Sequence, residues 1–259
     1  METTWLYAMP LWLVFVLSLA VILGAGEVGR GIASARGPEN GSNIFTLEAA
    51  VFGLLALLIS FTFSMALGRF EERRSTVLLE ANSIETTALR ARLLPPPHAH
   101  ESLDLLRAYT RLRTDLIGRR PTAAEFDANL ARSNDIQEKL WQETKAVVAL
   151  DPGMVPTGLF IQTLNEMIDD QEKRLTAARN RVPPVVFFGL YAITVVAMTF
   201  AGYATGHGRG TRVPMYVIGT LSAAVILLIM DLDHPMAGLI SVNQQPMLDT
   251  AASLASMTE

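Results

Sequence analysis

The residues best suited to chemistry in this 259-residue sequence stand where long apolar runs end. Asp231–Leu232–Asp233–His234–Pro235 closes one such run. A helix C-terminus carries partial negative charge, so an acid there costs about 0.3–1 kcal/mol unless something compensates it. Two acids at membrane depth call for a cationic partner. Arg69, Arg73 and Arg74, at the end of another apolar run, or Arg90 further along, would supply it. The expected result is a structural ion pair. A cation site is the alternative, although two carboxylates are a thin set for the six to eight oxygens that Ca²⁺ takes. His234 alone is no ligand set. His98 and His100 stand beside Pro95–Pro96–Pro97 with no third ligand near them in sequence, so no metal site is expected. Glu80, Asn82, Glu85 and Arg90 lie among Val77, Leu78, Leu79, Ala81, Ile84 and Leu89. Three readings fit them: buried interhelical hydrogen bonds, a vestibule lining, or an ordinary solvated face.

No catalytic constellation emerges, and the chain is not expected to be an enzyme or to need a cofactor. The absence of cysteine removes disulfides, thiolate metal sites, iron–sulfur clusters and thiol nucleophiles. Gly24-x-Gly26-x-x-Gly29 spells a dinucleotide fingerprint by letters, but it follows an apolar run instead of a strand. Charge is segregated: residues 69–183 hold 17 of the 21 Lys+Arg and 17 of the 25 Asp+Glu. That stretch is neutral and the rest of the chain is acidic, which leaves no basic field for nucleic acid.

The elements that must position these residues are four apolar windows, each near the roughly 20 residues that cross a bilayer. They are Leu6–Gly26, Leu47–Gly68, Pro184–Thr205 and Val213–Met230. Met1–Tyr7 offers only Glu2 where a signal peptide needs basic residues, so the first window reads as a retained helix. The fold class is an all-α membrane protein, four transmembrane helices with a helical cytoplasmic insert between spans two and three. Its expected divisions are 1–68, 69–183, 184–235 and a tail 236–259, frayed after Met247. Seven Lys/Arg flank the insert side of the spans and four the other, which favours cytoplasmic N- and C-termini and a cytoplasmic insert. Residues 27–46, rich in Gly, Ser, Asn and Pro, read as a flexible loop.

Within the insert, residues 69–94 contain no Gly or Pro and continue span two as one rod from Leu47 to Leu94. A second helix is expected from Ser102 to Ile117. Thr122 and Glu125 form a capping box opening a third helix toward Leu150. A fourth begins near Pro156 and runs to Arg181, with Phe160, Leu164, Met167, Ile168, Gln171 and Leu175 at helical spacing. In span two, Ala49, Gly53, Ala56, Ser60 and Ser64 make a small-residue stripe, the usual mark of close helix packing in lipid. Ile59, Phe63 and Leu67 form another stripe. It is lipid-facing or core bulk, or, repeated around an axis, an apolar constriction that gates by dewetting. Arg69, Arg73 and Arg74 below it either anchor the span at the interface or attract anions.

Ser60–Phe61–Thr62–Phe63–Ser64–Met65–Ala66, Arg69–Phe70–Glu71–Glu72–Arg73–Arg74, Glu80–Ala81–Asn82–Ser83–Ile84, Leu89–Arg90 and Leu93–Leu94–Pro95 follow one another. Asp231–Leu232–Asp233–His234–Pro235, Gly238 and Val242 come later. In this order the sequence resembles a bacterial four-span family of unknown function, the bestrophin-like proteins. The resemblance covers about residues 44–115 and 185–250. It implies an inner-membrane homo-oligomer similar to bestrophins, which are mostly anion-selective channels with a neck on the second span. Carried over, the neck falls on Ile59, Phe63 and Leu67, and small inorganic anions are the implied partners besides the lipid bilayer. Bestrophins carry Arg-Phe-Pro where this chain has Arg69–Phe70–Glu71, and the acidic calcium clasp of animal bestrophins is missing, so the resemblance does not extend to calcium gating. The alternative is a non-conducting scaffold or signalling protein that binds partners through its helical insert.

Overall fold

The computed structural model describes residues 9–36, 42–119, 121–206, 211–234 and 238–257. These residues form eight α-helices and no strand: α1 Leu11–Arg36, α2 Ser42–Ala91, α3 His98–Asp115, α4 Ala123–Leu150, α5 Val155–Arg179, α6 Pro184–Gly206, α7 Val213–Asp233 and α8 Gln245–Ser256. Four helical stretches are long and apolar enough to cross a membrane. The chain divides into two compact units, Met1–Phe70 with Arg181–Ser241, and Glu71–Asn180 with Val242–Glu259. Helix α2 contributes residues to both.

The first unit gathers α1, the first part of α2, α6 and α7 around Val14, Ile22, Leu55, Phe187, Leu190, Met198, Met215 and Ile226. Trp12, Val21, Leu57, Phe61, Phe188 and Leu221 point outward and are exposed. Helices apolar on their outer as well as their inner faces belong in lipid. Close packing here comes from glycine. A Cβ on Gly202 of α6 would lie 1.8 Å from the Gly26 carbonyl oxygen of α1, and one on Gly29 would lie 1.9 Å from the Thr199 oxygen. Small residues let helix backbones approach this closely. This contact corrects the loop expected over residues 27–46, because α1 continues to Arg36 and α2 begins at Ser42. Gly29, which resembles part of a loop in isolation, is a packing surface in place. The extension carries Glu27 into the helix, where it accepts a hydrogen bond from the Tyr216 hydroxyl at 2.6 Å and lies 3.7 Å from Arg212.

The second unit packs the rest of α2 with α3, α4, α5 and α8 around Ile84, Leu103, Leu106, Tyr109, Leu140, Phe160, Leu164 and Met167. The capping box is present: Glu125 N–H donates to Thr122 Oγ1 at 3.2 Å and Thr122 N–H to the Glu125 carboxylate at 2.7 Å. Thr122→Ala should lower the stability of this unit by about 1 kcal/mol, measured as a shift in chemical denaturation. The tail expected to fray after Met247 is instead helix α8. Met247, Thr250 and Leu254 are buried on one face, and Arg107 donates to the Leu254 and Met257 carbonyls at 3.1 and 2.7 Å. A basic side chain on carbonyls left over at a helix end is a favourable C-cap.

Candidate functional site

Helix α2 sets the first part of the site. Its apolar window is 17 % buried within the chain, against 28 % for the first span and 39 % for the other two. The stripe Ala49, Gly53, Ala56, Ser60 and Ser64 lies entirely on the exposed face, beside Leu57 and Phe61. Ile59 and Phe63 rest partly on the core of their own unit, and Leu67 is exposed. This stripe therefore begins at the boundary of the covered face and turns outward along the helix. Below it, Arg69 is half-buried, Arg73 is buried, and Arg74 is exposed and 3.5 Å from Glu71.

Further along α2, Glu80 is fully buried. Its Oε1 lies 2.6 Å from Arg113 Nε, and its Oε2 accepts from Arg174 Nη1 at 2.6 Å and Arg113 Nη2 at 3.1 Å. The Tyr109 hydroxyl is within reach of Glu80 at 3.0 Å and of Gln171 Oε1 at 2.7 Å. Gln137 donates to Gln171 Oε1 at 3.1 Å, and Gln171 donates to Asn134 at 3.0 Å. Arg174 also holds Gln244 at 2.8 Å. Burial acts to raise the Glu80 carboxyl, but the charges and hydrogen bonds of Arg113 and Arg174 outweigh it and hold it below its ordinary range. Burial and the Glu80 charge push the Tyr109 phenol well up, so it stays a donor. The sequence marks Glu80 as a polar residue among apolar ones. Its partners come from 33 and 94 positions away, and no local pattern announces them. Arg90 donates to the Leu159 carbonyl at 2.7 Å, and Asn82 is exposed.

The acids ending α7 are buried, Asp231 at 2 % and Asp233 at 0 % exposure. For Asp231 the expected cation is replaced by backbone: its two oxygens accept the N–H groups of Leu239 and Ile240, each at 2.9 Å. These amides have left helical structure and need acceptors, so the carboxylate satisfies a need that the sequence does not display. A Cβ on Gly238 would fall 2.1 Å from that carboxylate, which explains the glycine in the turn. Asp233 accepts the Val182 N–H at 3.0 Å, in the break between α5 and α6. His234 is the C-cap of α7, half-buried, with its N–H on the Asp231 carbonyl at 3.1 Å. Pro235 lies outside the described residues.

At the start of α3, His98 Nδ1 and Glu143 Oε2 of α4 are 2.7 Å apart. Glu101 joins them, with one donor atom from each residue within 4.8 Å of the others. No third ligand stands near His98 in sequence; the fold brings Glu143 across 45 positions.

The sequence matches the Bestrophin-like domain over residues 15–247. The chain belongs to the bestrophin-like family. Crystal structures of a bacterial bestrophin homologue from Klebsiella pneumoniae share its fold. One substituted form superposes with a TM-score of 0.65 at 17% identity, covering 93% of this chain and 98% of that one. A second superposes at 0.68 and 14% identity, covering 95% and 99%. A comparison with curated protein sequences gave no match. This bestrophin-like chain is thus an all-helical membrane protein whose four spans and helical insert have counterparts along nearly the whole homologue.

Proposed function

We propose that the protein is a homo-oligomeric channel of a bacterial inner membrane that passes small anions, with α2 lining the axis. The observation that carries this reading is the exposed face of α2. It is the span least covered by its own chain, and the surface it leaves bare carries the stripe of small and hydroxyl-bearing residues beside Leu54, Leu57, Phe61 and Met65. Copies arranged about an axis would cover that face, and close packing of such stripes is favourable in lipid. Ile59, Phe63 and Leu67 then form the apolar constriction, and Arg69, Arg73 and Arg74 raise the local anion concentration at its mouth. In this arrangement the insert and both termini are cytoplasmic, in keeping with the excess of Lys/Arg on the insert side. Membership of the bestrophin-like family supports the same reading.

Purified protein reconstituted in planar bilayers should show unitary anion currents, and Phe63→Ala should raise the open fraction by widening an apolar neck. Complete absence of unitary current across salts and voltages, together with particle images of a sealed axis, would favour the scaffold reading instead.

A further inference from the structure

We propose that His98, Glu101 and Glu143 form a binding site for a divalent first-row transition cation, with Zn²⁺ as its probe. The donor set is a mixed one: an imidazole nitrogen and two carboxylates. His98 and Glu101 are three residues apart on α3 and so share one face of the helix. Glu143 comes from α4, so a bound ion would clip two helices together. One donor atom from each residue already lies within 4.8 Å of the others, whereas ligands around a tetrahedral Zn²⁺ with bonds of about 2.0–2.2 Å sit roughly 3.4 Å apart. Small side-chain rotations close that difference. The His98 and Glu143 side chains are 15% and 23% exposed, and Glu101 is exposed. Two carboxylates this close repel each other unless a proton or a cation lies between them.

The donor types choose the metal. Ca²⁺ and Mg²⁺ take oxygen ligands, and imidazole with carboxylates suits Zn²⁺ and its first-row neighbours. Cysteine is absent, so no thiolate in the chain competes. Three protein ligands leave a fourth position for water, the pattern of an open zinc site. The site is separate from α2 and its stripe, so the channel reading and this one stand or fall independently.

The test uses the full chain in detergent, purified through a histidine-free tag and freed of metal. Calorimetric titration with ZnCl₂ should show one site per chain. His98→Ala and Glu143→Gln should each weaken it roughly tenfold or more, while His100→Ala should leave it intact. Co²⁺ should give the visible absorption of a four-coordinate ion and lose it in His98→Ala. His98 and Glu143 also bond each other across α3 and α4, so the metal-free variants are checked for fold by a helical circular dichroism spectrum that matches the parent's. No saturable binding, or binding unchanged in His98→Ala, overturns the proposal.

Discussion

Replacing Glu80 by alanine is expected to lower the stability of the chain by about 3–5 kcal/mol, the usual cost of removing one partner from a buried charge cluster. Arg113, 9% exposed, and Arg174, 18% exposed, would keep their guanidinium groups in place with no anion between them. The Tyr109 hydroxyl would lose Glu80 and keep Gln171. Glu80→Gln keeps the shape and an acceptor oxygen but not the charge, and should fall between the alanine variant and the parent. Chemical unfolding in detergent, followed by the fluorescence of Trp141, which packs against the same core, measures both. A loss under about 1 kcal/mol, the range of exposed ion pairs, would show that the cluster contributes little. The pH dependence has a definite sign. The folded carboxyl titrates below its ordinary range, so its contribution is complete above the unfolded value, about 4.3. It is lost as pH falls through the lower folded value. Acid unfolding of the parent should therefore show a component that the Glu80→Gln variant lacks.

Gly202→Leu should prevent assembly of the first unit, and Gly202→Ala should already destabilise it by more than the about 1–3 kcal/mol of ordinary overpacking. The atom that a new Cβ meets, at 1.8 Å, is a backbone oxygen of Gly26, which cannot rotate away as a side chain can. Helices α1 and α6 would have to separate along the whole crossing. Gly29→Ala should behave alike, since its Cβ would meet the Thr199 oxygen at 1.9 Å. Gly24 and Gly189 lie on the same two helices with open space around them. Alanine at either should be neutral or slightly stabilising by helix propensity. Thermal aggregation of the four alanine variants in detergent, measured side by side, separates packing from a general intolerance of the spans.

What could be read from the sequence divides by the range of the forces involved. Thr122 and Glu125 are three residues apart and satisfy each other's backbone, so the start of α4 was legible to the residue. Of the stripe Phe160, Leu164, Met167, Ile168, Gln171 and Leu175, all but the half-buried Ile168 are buried, because amphipathic periodicity is also local. The run of α2 from span to insert followed from a stretch without helix breakers. The extension of α1 was hidden because glycine disfavours an isolated helix, and only contact with the α6 backbone makes it useful. Helix α8 was hidden because three residues, Met247, Thr250 and Leu254, carry its burial in a small, polar segment. The partners of Glu80, and the meeting of His98 with Glu143, depend on the register of one helix against another. Spacing within either helix contains no such information. The acids of α7 stand out in the sequence, where a cation is expected for at least one of them; Asp231 takes backbone amides. Charge counting considers cations, whereas the chain offered amides.

That choice of partner has a consequence for the solution around the protein. An attraction between mobile ions weakens as counterions crowd in, over a Debye length of about 8 Å at physiological salt. A carboxylate clasping fixed peptide dipoles, shut away from water as Asp231 is, is almost blind to such screening. The corner formed by Asp231 and residues 238–240 should therefore keep its shape from dilute buffer to brine.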